Sequence, residues 1–260
     1  MRIALQDSLL GGGDPVALCE RAAALGVDGL AIASVGLEGR LDALVNAARR
    51  TGVRIAGIHY GREGALLDAD MPTRERALAR LRAAIAAAVD LEAAGVVIVP
   101  HYGAYALPDL FPWKSSGELY AEMLHMHLRT LSDFCYALGT SLFIQTAPTH
   151  ETAFISRLEQ ANAVVRRIKH PNVRIALDLD VLVDEMPDPA AIDRQVSRHG
   201  DQIGYVARAI ASCDPLHDHF FSSALRQGGY DGWLVLTGTS APPPDRLIEI
   251  IDSVRARLQG

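Results

Sequence analysis

The stretch RIALQ at 2–6, followed by PVALCERAAALG at 15–26, sets the reading of the whole chain. The first run is short and β-rich. The second carries apolar residues at helical spacing, so the two make one βα unit. Strand-like runs recur at GLAIAS (29–34), VRIAGIHYG (53–61), GVVIVPHYG (95–103), SLFIQTAP (141–148), VRIALDLD (173–180), QIGYVARAI (202–210) and GWLVLTG (232–238), which with the first make eight. Ala-, Leu- and Arg-rich helical segments occupy 38–50, 72–94, 117–138, 151–168, 188–199, 217–227 and 243–258. Strands apolar on both faces and joined by helical crossovers demand a parallel sheet covered on both sides. Eight such units predict an α/β fold, a single (β/α)8 TIM barrel spanning residues 1–260. An open doubly wound sheet is the alternative. It is weakened because GGGD at 11–14 lacks the spacing of a dinucleotide-binding G-x-G-x-x-G.

Composition narrows the function classes. With 49% hydrophobic and 22% charged residues the chain has ample material for a core, which excludes disorder. Twenty-five basic against 31 acidic residues give a net charge of −6 with no dense Lys/Arg cluster, so a nucleic acid partner is not expected. Cys19, Cys135 and Cys213 lie far apart, forming neither a disulfide framework nor a zinc knuckle, and a cytoplasmic chain is expected. The opening MRIALQDSLLGGGDP has no basic segment leading into an apolar run, so no signal peptide is expected. The apolar runs AAIAAAV (83–89) and GVVIVP (95–100) fall far short of the roughly 20 residues that span a bilayer, so no membrane association is expected either.

In a barrel of this kind the ligand site forms at the C-terminal strand ends. Those ends carry Gln6, His59, His101, Gln145, Asp178, Asp180, Ala207 and Thr237, with Glu151 just beyond the fifth strand. Any one of them reads equally well as a hydrogen-bonded structural residue. Together they need partners, because a buried polar group left unsatisfied costs about 1–3 kcal/mol. The loop 102–116 carries Tyr102, Tyr105, Phe111 and Trp113, which either fold over a pocket or pack the loop onto the barrel. Thr237, Gly238 and Ser240 stand where barrels often hold phosphate, yet no arginine follows before Arg246, and a polar turn is the simpler reading. His217 and His219, early in the helix after the seventh strand, are either ligand contacts or surface residues.

The segments GVDGLAI (26–32), HPNVRIALDLD (170–180) and GGYDGWLVL (228–236), in this order, resemble the xylose isomerase-like TIM barrels. That superfamily includes sugar phosphate isomerases and epimerases, ketose 3-epimerases, inosose dehydratases and abasic-site endonucleases. The resemblance implies the barrel already reached from periodicity. Epimerases of the family hold a divalent ion with Glu, Asp, His and Glu after strands five to eight, two of the carboxylates also moving protons. The corresponding residues here are Gln145, Asp178, Ala207 and Thr237, so only the aspartate is kept. The family's Asp-Thr-x-His after strand six reads Asp178-Leu179-Asp180-Val181, and its second-strand glutamate is Ala31. By contrast, Glu151 matches a substrate-contacting glutamate, and His59 and His101 match family histidines.

This pattern implies a retained pocket without the epimerase machinery. A hard divalent cation wants charged oxygen ligands, and neither Gln145 nor Thr237 can act as a base. No cofactor is therefore assigned; zinc or manganese on His59, His101 and an aspartate, after the endonuclease branch, is the metal reading left open. Two functions follow. One is a sugar phosphate isomerase- or epimerase-like enzyme, or a related lyase, taking a small polyhydroxylated or phosphorylated substrate without the usual metal. There His59, His101 and Asp178 are catalytic, and Gln145, Glu151, Asp180 and Trp113 bind substrate. The other is a catalytically silent ligand-binding or partner subunit. The Ala- and Leu-rich helix faces leave a homodimer open.

Overall fold

The strands are β1 (Arg2–Gln6), β2 (Gly29–Ala33), β3 (Arg54–Tyr60), β4 (Val96–Ile98), β5 (Leu142–Gln145), β6 (Val173–Asp178), β7 (Ile203–Ala209) and β8 (Trp233–Thr237). Each pairs in parallel with its sequence neighbour, and β8 returns to β1, so the sheet closes into a barrel. This computed structural model describes residues 1–62, 65–213, 215–240 and 242–259, with 215–219 and 259 described by backbone alone. The helices among them are α1 (Pro15–Ala24), α2 (Leu41–Thr51), α3 (Met71–Asp90), α4 (Ser116–Leu138), α5 (Leu158–Ile168), α6 (Leu179–Glu185), α7 (Pro189–His199), α8 (Pro215–Gln227) and α9 (Pro244–Gln259). None of the described helices is long and apolar enough to cross a membrane. The (β/α)8 barrel expected from the alternation is the fold found.

Period-two alternation divides each strand between two packing layers. Outward residues such as Leu5, Ile32, Ile58, Ile144 and Leu177 join the large apolar layer under the helices. Inward residues form a separate plug: Phe143, Tyr205 and Trp233 fill the barrel, while Ala4, Ala31, Ala56 and Ala176 give them room. Close approach is required in two places. A Cβ on Gly57 would stand 2.9 Å from the Tyr205 ring, and one on Gly29 would stand 2.9 Å from that of Trp233.

Two boundaries differ from the sequence expectation, for identifiable reasons. The helix expected over 151–168 starts only at Leu158, because the preceding backbone is committed elsewhere. Gly103 N donates to Glu151 O (2.7 Å) and Ala153 N to Gly103 O (3.0 Å), a bridge that ties the loop after β4 to the loop after β5. Between β6 and β7 there are two helices rather than one. Asp178, the last residue of β6, accepts from the amides of Asp180 and Val181 and so starts α6 directly at the barrel rim. Asp188 and Pro189 then start α7 as cap and first-turn proline.

Candidate functional site at the barrel mouth

The inward face of each strand continues past the aromatic plug into polar side chains. Phe143 is followed two residues later by Gln145, and Ala176 by Asp178, so both polar groups stand on the inner face at the C-terminal end. Gln145 Nε2 donates to Asp178 Oδ2 at 2.8 Å, while the other carboxylate oxygen is held by α6. Burial, reinforced by the neighbouring Asp180 charge, raises the Asp178 carboxyl to about 6 against these stabilising hydrogen bonds. His59 caps the plug from β3. Its Nε2 lies 2.8 Å from the hydroxyl of fully buried Tyr205, with the rings edge to face. Burial lowers the imidazole to about 4, with the Asp7 charge pulling weakly the other way, so it is neutral at ordinary pH. Asp7 itself is buried and pairs with Arg40 at 3.2 Å.

The structure distributes the remaining expected residues unequally. His101 sits in an aromatic cluster, 4.6 Å from Tyr120 and stacked on Tyr105 at 6.5 Å between centroids, its Nε2 2.9 Å from Ala104 O. Asp180 is clamped by Arg208 Nη1 at 2.7 Å and by the Ala209 amide. Arg208 is 4% exposed and also donates to Ser212 O and lies over Phe221. Glu151 pairs with Arg62, whose guanidinium lies 4.8 Å from the Tyr102 ring centre. The Tyr102 ring thus lies beside the Arg62–Glu151 pair, and burial raises its phenol and keeps it protonated. The loop 102–116 thus takes both of its expected forms. Tyr105 packs against Tyr120 and Phe154, whereas Phe111 and Trp113 are 84% and 85% exposed.

At the end of β8 the polar-turn reading fits the geometry. Gly238 N is occupied by Gln6 Oε1 (3.2 Å), its carbonyl accepts from Ser8 (2.6 Å), and Arg246 pairs with Glu249 on α9. The side chains of His217 and His219 lie outside the described residues. Tyr205, Arg208, Arg62 and Asp7 were missed by the sequence reading. Tyr205 alone had a signal, being in phase with Ala207 on the inner face of its strand.

The donor chemistry at the mouth is poor for a divalent ion. Gln145, Asp178, Ala207 and Thr237 offer a single carboxylate, whose two oxygens are engaged by the Gln145 amide and the start of α6. His59 and His101 turn their Nε2 atoms to different protein partners. Among the described residues no group of three or more His, Cys, Asp or Glu is placed to hold a metal. These residues do not fit the family's ion.

The family model of the xylose isomerase-like TIM barrels matches residues 19–209, and the chain belongs to that family. Solved structures agree on the fold. An apo 3-keto-D-glucoside 4-epimerase from E. coli superposes with a TM-score of 0.85 at 19% identity, covering 100% of both chains. D-Psicose 3-epimerase from Clostridium cellulolyticum H10 with D-tagatose gives 0.80 at 18%, covering 99% of both. A D-psicose 3-epimerase in the presence of D-fructose gives 0.81 at 17%, covering 100% of both. Among curated protein sequences none matches.

Proposed function

We propose that the chain is a sugar isomerase- or epimerase-like enzyme of the cytoplasm that binds a small polyhydroxylated substrate at the barrel mouth and moves protons with its own side chains. One observation carries this reading: at the mouth, Asp178 has its carboxyl raised to about 6 and an oxygen shared with Gln145. A carboxylate of that basicity is matched to abstracting a proton next to a carbonyl near neutral pH. Gln145 fixes its orientation. His59, neutral and bound through Nε2 to Tyr205, offers its other nitrogen to a substrate oxygen. His101 acts as a second polar contact. Glu151 and Asp180 bind hydroxyl groups from the rim, and Trp113 closes over the ligand when its loop folds inward.

The silent-subunit reading is favoured by one feature, the pairing of Glu151 with Arg62, which satisfies a substrate-facing carboxylate without substrate. Incubating the protein with a panel of ketoses and aldoses in deuterated water separates the two. Deuterium washing into a sugar carbon, followed by NMR and lost at least 100-fold in Asp178→Asn, supports the enzyme. Saturable sugar binding with no exchange in any sugar overturns it in favour of the silent subunit.

A further inference from the structure

Beside the mouth, between the loop after β5 and α6, lies a cleft of about 410 Å3. That volume falls within the roughly 300–1,000 Å3 of small-molecule sites. The cleft begins where the candidate chemistry ends. Val181, in its wall, donates its amide to Asp178 Oδ1, and Pro148, opposite, stands three residues after Gln145. Both walls thus start within a few residues of the Gln145–Asp178 pair.

The lining has the chemistry of a sugar-binding surface. Thr149, Ser156 and Asp184 offer hydroxyl and carboxylate partners, and Arg157 supplies a donor fork, while Pro148 and Val181 give an apolar floor for ring C–H groups. The charge argues against phosphate. Arg157 and His150 face Asp184 and Glu185, and Glu185 already caps α5 through the Leu158 amide at 3.0 Å. A phosphate would find no excess of cations, whereas a neutral polyol can use donors and acceptors alike.

Resting on the function proposed above, we infer that this cleft is a second sugar subsite, and that the substrate is a neutral two-unit glycoside whose reacting unit sits over Asp178 and whose other unit sits between Thr149 and Asp184. The test is calorimetry of the full chain with D-fructose and with the reducing glucosyl-fructose isomers, on the native protein and on Ser156→Trp, which fills the cleft, and Asp184→Ala, an exposed position whose truncation does not threaten the fold. The expected result is at least tenfold tighter binding of one glucosyl-fructose than of fructose. Either variant lowers affinity for that disaccharide at least tenfold more than affinity for fructose. Equal binding of fructose and every disaccharide overturns the subsite and leaves the function reading standing. So does a disaccharide preference untouched by both variants. Binding of no sugar at all overturns both.

Discussion

The two ends of this barrel solve the same problem in opposite ways. At the N-terminal end Trp233, 3% exposed, has the guanidinium groups of Arg2 (4.3 Å) and Arg54 (5.7 Å) over its ring and fits beside Gly29. The ring there is held by cationic and close backbone neighbours. At the C-terminal end the aromatic plug stops at Tyr205, and above it stand groups whose burial works against their charge: Asp178 raised and His59 lowered. Packing at the floor stabilises, whereas at the mouth it tunes proton affinity. That is the division of labour expected of the fold.

The comparison breaks most visibly at the floor. Trp233→Ala should cost about 3–5 kcal/mol, read as a lower midpoint in chemical denaturation, because it empties the floor of the plug. Arg208→Leu comes next. It leaves Asp180 without its cation, with an expected loss of about 3 kcal/mol by the same measurement. Asp178→Asn should act in the reverse direction, gaining about 1 kcal/mol at pH 7 while abolishing deuterium exchange, since the amide oxygen keeps the cap on α6 without the buried charge and the Gln145 amide can turn its oxygen to the new NH2. A destabilised Asp178→Asn would place this residue with the floor group.

The pH dependence sharpens the contrast further. The folded value of Asp178, about 6, exceeds its ordinary 3.8, so its contribution is full below 3.8 and is lost as pH rises through 6. The folded value of His59, about 4, lies below its ordinary 6.5, so its contribution is full above 6.5 and is lost as pH falls toward 4. Between pH 4 and 6 the two oppose each other. Denaturation midpoints for His59→Phe should therefore improve relative to the native chain on acidification, and those for Asp178→Asn should worsen, each by about 1–2 kcal/mol. Parallel slopes for the two variants would remove both assignments. The smallest effect belongs to Trp113→Ser, below about 0.5 kcal/mol, because a side chain 85% exposed has little packing to lose.

Much of the fold was legible because its signal is periodic: eight apolar runs, each read from its own residues, find all eight strands, although the fourth ends at Ile98 and not at 103. The helix boundaries at Leu158 and Leu179 were not, because each is decided by partners distant in sequence or by a side chain with two roles. Asp178 reads as a strand end and is also a helix cap. At the mouth, Gln145 and Asp178 were legible as polar strand ends facing one mouth, though not as hydrogen-bonded partners. The Arg62–Glu151 and Asp180–Arg208 pairs were not, since they span 89 and 28 residues and no local pattern records them. His101 was read as a site residue by position, but only tertiary packing turns it into the aromatic cluster around Tyr120.

The bridge between Gly103 and Thr152 has a consequence for anyone reshaping this protein. Because it fastens the loop that carries Tyr102 to the loop that carries Glu151, the two segments behave as a single graft. Transplanting either one alone from a relative would leave two backbone hydrogen bonds without partners, whereas exchanging them together keeps the seam intact.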